Sequence, residues 1–346
     1  SELFAKISGV IIMDAIDQMQ DGLELLDWLP RPLPNSLKLI ISLKEDASTK
    51  RVIEEKRKEE SAVVISMSGL QREEERIHFI DTYLERYLKH LDSTQIHAIC
   101  SSDGSSNPLF LKVLLYEIRS FGAFQQLDQQ IKRFGNTPLD AFEALLERLE
   151  SEDLIPGLSS KSTTTLLFGL LACARKGLGE DELTDCFVQS FPDISRELLR
   201  ESIRYILRQT RPFLARREGR TDFLYDSFRS ASTSRYQNLS LEHHQLLCAC
   251  FVKGVDPNGN KEYEGNNKRA FLEYAYHVMN SGDNAQFIAL MSCYKWIRAK
   301  LSLCGYNALL DDYRYLPDVP AYEGIRLIGE GLLLSGYALQ NDSSQL

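Results

Sequence analysis

The sequence predicts an α/β segment followed by a longer, mostly α chain. Two observations carry this expectation. Short, unalternated apolar runs stand at residues 10–13, 37–43 and 62–67, with proline-rich or charged links between them. From Gln71 onward, apolar residues recur at helical spacing, beginning with Ile77, Ile80, Tyr83, Leu84, Tyr87, Leu88 and Leu91.

The first run, Val10-Ile11-Ile12-Met13, leads straight into Asp14-Ala15-Ile16-Asp17-Gln18. An apolar run without alternation suits a strand buried on both faces, as in a parallel sheet. The acids then stand at the carboxyl end of the strand, where open α/β sheets bind ligands. A carboxylate there can hold Mg²⁺ through water. The partner of such a site, a G-x-x-x-x-G-K-[ST] phosphate loop, does not occur in the chain. The second strand, 37–43, follows Trp28-Leu29-Pro30-Arg31-Pro32-Leu33-Pro34, whose prolines exclude regular helix or central strand. Residues 45–60 are charged and helix-prone and precede the third strand at 62–67. The resulting β-loop-β-α-β order is that of a doubly wound sheet.

Helices then follow one another. Asn107 is a natural N-cap and Pro108 a natural first-turn residue for a helix over 109–119, and Thr137-Pro138 opens another through 149. Residues 161–235 read as helices at 165–175, 180–188 and 194–209, then strands at 213–216 and 222–225 joined by Arg217-Glu218-Gly219-Arg220. Three helices and a hairpin in this order describe a winged helix. Residues 241–315 are again helical, with loops at 256–260 and 281–284, and 322–340 reads as one further helix. No repeat of 20–50 residues is apparent within the chain.

Composition sets limits on function. The chain has 346 residues, 43% hydrophobic and 26% charged, which suits two or three globular domains. A net charge of −9 disfavours generic binding to nucleic acid or acidic membranes. No apolar run approaches the roughly 18 residues of a membrane span, and no signal peptide opens the chain. Seven dispersed cysteines suggest reduced thiols and a cytoplasmic setting. His243, His244, Cys248 and Cys250 invite a metal reading, but Leu246, Leu247 and Phe251 around them favour a helix core. Arg196, Arg200, Arg204 and Arg208 form one basic stripe, partly offset by Glu197 and Glu201. His78, His90 and His97 have no nucleophile motif beside them.

These motifs, taken in order, resemble the STAND class of P-loop NTPases, in particular NACHT-type proteins followed by WD repeats. "VIIMDAIDQ" looks like their Walker B strand, "LPRPLPNSLKLIISL" like the sensor-1 strand and "SSNPLFLKVLLYEIR" like the G-x-P motif. "GLGEDELTDCF" and "FLYDSFRSA" are similar to winged-helix segments. "WIRAKLSLCGYNALLDDY" and "LLLSGYALQNDSSQL" look like the helical region before the repeats. The resemblance implies five parts: the C-terminal half of a P-loop NTPase parallel sheet at 1–95, a helical lid at 96–155 and a winged helix at 156–238. A helical domain at 239–320 and a helical linker at 321–346 follow. It assigns Asp14 and Asp17 to catalysis, Asp14 also to Mg²⁺, and Ser42, Pro108, Tyr225 and Asp226 to ATP/ADP. Two departures stand out. Ser42 is followed by Leu43 rather than arginine, and Tyr225 stands where the family has a histidine. The implied function is a nucleotide-dependent signal-transduction switch. It oligomerises on activation, is an ATPase only in a longer protein, and meets protein partners through a C-terminal repeat region. One alternative is a non-catalytic helical interaction scaffold. The other is a winged-helix DNA-binding regulator.

Overall fold

A computed structural model describes residues 9–18, 34, 36–44, 49–50, 53–54, 62–120, 133–152, 157–314 and 316–341. Strand β1 (Gly9–Met13) pairs in parallel with β2 (Leu37–Ile41), Gly9 opposite Leu37 and Met13 opposite Ile41. Ile16, in a 3₁₀ turn (Ile16–Gln18), is buried among Met13, Leu39, Ile41 and Leu43. The other face is open among the described residues: Val10 is 59% exposed and Ile12 69%. The expected burial of this strand on both faces is therefore corrected to one face. Alternating side chains put Ile11 and Met13 on the face that the Ile16 turn covers and Val10 and Ile12 on the other.

The third expected strand does not form. Residues 62–67 have no ladder partner, and Val63, Ile65 and Met67 are exposed. β-branched residues favour an extended chain, but a strand needs a neighbour to take its hydrogen bonds. The proline link at 28–34 and most of 45–60 lie outside the described residues.

The chain divides into two compact units, 1–68 and 69–346. The second is mostly helical. It begins with α1 (Glu73–Glu85), α2 (Ser93–Cys100), α3 (Pro108–Ser120), α4 (Pro138–Ser151) and α5 (Ser160–Cys173). Thr137 caps α4 by accepting from the Asp140 N–H at 3.2 Å, as the Thr-Pro signal predicts. Next come α6 (Glu180–Ser190), α7 (Arg196–Gln209) and the hairpin β4 (Leu214–Arg217) and β5 (Arg220–Phe223). This is the three-helix-and-hairpin order read from the sequence. The strand β3 (Leu178–Gly179), between the helices expected at 165–175 and 180–188, adds to β5 antiparallel. Gly177 allows it: its φ is +65°, and a Cβ there would lie 2.4 Å from the Thr221 carbonyl oxygen.

Helices α8 (Asp226–Tyr236), α9 (Ser240–Val255), α10 (Lys268–Asn280), α11 (Asn284–Met291), α12 (Tyr294–Cys304) and α13 (Tyr306–Arg314) follow. The expected final helix is divided into α14 (Glu323–Leu334) and α15 (Gly336–Asn341). At the division, a Cβ on Gly336 would meet the Tyr306 hydroxyl at 2.6 Å. One apolar core runs through this unit from Ile80 to Leu339. At its centre Phe142 stacks on Phe228, centroids 4.6 Å apart, while Phe213 and Phe223 meet Phe228 edge-on. Two of the charges buried there are held in ion pairs between helices. Arg148 on α4 donates to Glu117 on α3 through Nε and, at 3.0 Å, Nη2, and buried Lys300 on α12 donates to Asp312 on α13. Burial pushes the Glu117 and Asp312 carboxyls upward against the pull of these cations. No described helix is long and apolar enough to cross a membrane.

Candidate functional site

The sequence-derived site residues fall into two groups, one in each unit. In the first unit, Asp14 and Ser42 stand just past the ends of the parallel strands β1 and β2. The Ser42 hydroxyl donates to Asp14 Oδ1 and accepts from the Ala15 N–H at 2.8 Å. The Ser42 N–H donates to the Met13 carbonyl at 2.9 Å, and the Ile16 N–H to the Ser42 carbonyl at 3.1 Å. Asp17 Oδ1 accepts from the Lys44 N–H at 3.2 Å. Both acids thus tie the chain leaving β1 to the chain leaving β2. Ala15 adopts φ +53°, a left-handed conformation uncommon for residues other than glycine, and these bonds surround it. Asp14 and Ser42 are exposed and Asp17 is half-buried.

In the second unit, Asn107 Oδ1 accepts from the Leu109 N–H at 2.9 Å and the Phe110 N–H at 3.3 Å, and exposed Pro108 begins α3. One turn on, Lys112 Nζ donates to the Tyr225 hydroxyl at 2.9 Å. The same ammonium sits 5.2 Å from the Tyr225 ring centroid and 5.9 Å from that of Phe213. Tyr225 also stacks on Phe142, centroids 6.3 Å apart, and is the N-cap residue of α8, with Asp226 as its first residue. The structure therefore brings Asp14, Asp17 and Ser42 together in one unit. In the other, it brings the helix of Pro108 onto Tyr225. Sequence reading missed Lys112, although its position four residues after Pro108 placed it on the same helix face.

The arginine stripe on α7 meets α6. Arg196 pairs with Asp185 at 2.7 Å, Arg200 with Asp181 at 2.6 Å, and Arg204 with Glu180 at 2.6 Å. The partners are these acids, rather than Glu197 and Glu201 as expected. A phosphate backbone would have to displace them, which weakens the DNA reading.

His243, His244 and His277 make a buried cluster between α5, α9 and α10. His243 lies against Gly169, whose Cβ would fall 2.1 Å from His243 Cε1. The Nδ1 atoms of His244 and His277 are 2.9 Å apart, so one ring donates and the other accepts. Burial lowers His243 and His244 to about 4 and depresses His277 as well. Burial raises the Cys248 thiol to about 12. Among the described residues, no group of three or more His, Cys, Asp or Glu side chains is disposed to hold a metal.

No family model matches the chain. It is similar to a TPR repeat-containing protein of Dictyostelium discoideum, 26% identical over 79% of this chain and 15% of that protein. It is also similar to telomerase protein component 1 of Rattus norvegicus, 23% identical over 88% of this chain and 12% of the relative. The Mus musculus protein of the same description is 24% identical over 80% and 11%. The chain thus spans 11–15% of the length of these relatives. A TPR protein and a telomerase component, together with a mostly helical structure, replace the labels that the resemblance implied: NACHT, ATP-binding and WD repeat.

Proposed function

We propose that this chain is a helical protein-interaction scaffold, one segment of a larger assembly-forming protein. The observation that carries this reading is the second unit: successive helices from Glu73 to Asn341 packed around one core, in a chain similar to a TPR repeat-containing protein. Helical domains of this kind present binding surfaces through side chains on the outer faces of their helices. The description of the rodent relatives as a telomerase protein component fits a place within a multi-subunit complex. The candidate site residues fit the same reading. Asp14 and Ser42 join two strand ends, and Tyr225 joins α3 to α8 through Lys112. They act here as ties between elements.

The test is cross-linking of the tagged protein to its partners, with nucleotide supplied or enzymatically removed. The same partners are expected in both conditions and with Asp14→Asn. Partner retention that requires ATP, or that Asp14→Asn abolishes, would overturn the scaffold reading.

A further inference from the structure

The helix α14 uses one face and leaves the other open. Its inner face, with Ile325, Gly329 and Leu332, is buried. A Cβ on Gly329 would meet the Tyr313 Cβ at 2.8 Å, so this glycine is the hollow that receives Tyr313 of α13. The outer face carries Leu327 at 63% exposure and Leu334 at 88%. Leu327 and Leu334 alternate with Gly324 and Gly331 in the order 324, 327, 331, 334, the spacing of a coiled-coil seam. Among the described residues, a Cβ on either glycine would meet nothing within 4 Å. The outer face therefore repeats, unfilled, the hollow that the inner face uses for α13.

The charge beside this seam selects the occupant. Glu323 and Glu330 precede the two glycines, seven residues apart, and both are exposed. Arg326 is the single cation in the sequence of α14 and α15. It is engaged by Asp318 at 2.8 Å and donates to the Pro317 carbonyl at 2.9 Å. A second copy of this helix would bring further glutamates to the seam and no available cation. A helix flanked by lysine or arginine would match it.

We propose that the outer face of α14 docks an amphipathic helix of a different protein, with apolar residues at heptad spacing and basic residues beside them. This deepens the scaffold reading and rests on it.

The probe is a synthetic helical peptide of about three heptads, with leucine at a and d and lysine at e and g. A second peptide replaces the lysines by glutamates. Binding to the 346-residue chain is read by fluorescence anisotropy. The lysine peptide should bind at least about tenfold more tightly than the glutamate peptide. Leu327→Asp with Leu334→Asp should remove that binding while the circular dichroism and melting temperature of the chain stay unchanged. Glu323→Lys with Glu330→Lys should reverse the peptide preference. Gly331→Ala fits the open space, so it should weaken binding without lowering the melting temperature. Equal affinity for the two peptides would overturn the proposal. So would binding that survives the double aspartate variant, or a dimer in sedimentation that this variant dissociates. The two readings fail separately. If protein partners captured by cross-linking survive the double aspartate variant, the scaffold stands and only this face is reassigned. If the wild-type chain captures none, the scaffold itself falls.

Discussion

Burial decides what the histidines between α5, α9 and α10 can do. His243 and His244 sit near 4 against an ordinary value of 6.5, because a charged ring there would lack water. The unfolded chain therefore binds protons first as pH falls. Their contribution to stability is complete above about pH 6.5 and is lost as pH falls through about 4. The shift corresponds to about 3 kcal/mol for each ring at full protonation. Thermal midpoints measured from pH 7 to 4 should fall steadily below 6.5, and a flat profile between 6.5 and 4.5 would refute this. A second expectation concerns the glycine beneath His243. Gly169→Ala forces the imidazole away from its packed position and should cost about 1–3 kcal/mol in denaturant unfolding. The sequence placed His243 and His244 in a helix core beside Cys248 and Cys250, but neither the contact of His243 with Gly169 nor the pairing of His244 was legible in it. His277, the partner of His244, comes from a different helix.

Between elements, paired charges carry the specificity. Lys300 on α12 is buried against Asp312 on α13. Lys300→Met leaves a buried carboxylate without its cation and should cost about 3–5 kcal/mol. The double variant Lys300→Met, Asp312→Leu should recover most of that loss, since an apolar pair of similar volume fits the same place. Equal destabilisation by the single and double variants, in chemical unfolding, would exclude this account. Helix positions were largely legible at this scale. Asn107-Pro108 and Thr137-Pro138 open α3 and α4 where the capping signals put them. The hairpin of β4 and β5 was legible as well, displaced by one or two residues. The short strand β3 was not, because its pairing with β5 depends on a partner some forty residues away.

Across the whole molecule, residues 62–68 stand at the end of the first unit without helix or strand, and Val63, Ile65 and Met67 are exposed. Limited proteolysis should cut there before it cuts within α3 to α13. The remaining 69–346 unit keeps its whole core, so it should retain the principal melting transition of the intact chain. Loss of that transition on cleavage would mean that the first unit is required for the stability of the second. Of the candidate site, the sequence named Asp14, Asp17, Ser42, Pro108, Tyr225 and Asp226. The structure shows Ser42 bound to Asp14 and adds Lys112 beside Tyr225.

The sequence by itself determined where α3, α4 and α6 begin, that helices follow one another from there, and that short strands precede them. These properties follow from local spacing, capping and proline geometry, and they need no distant partner. Tertiary structure alone decided three further things: that 62–67 forms no strand, that Arg196, Arg200 and Arg204 of α7 pair with acids of α6, and that α14 presents one buried and one open face. Each depends on which group arrives from elsewhere in the chain to accept a hydrogen bond, balance a charge or fill a hollow, and spacing along a single sequence does not contain that information.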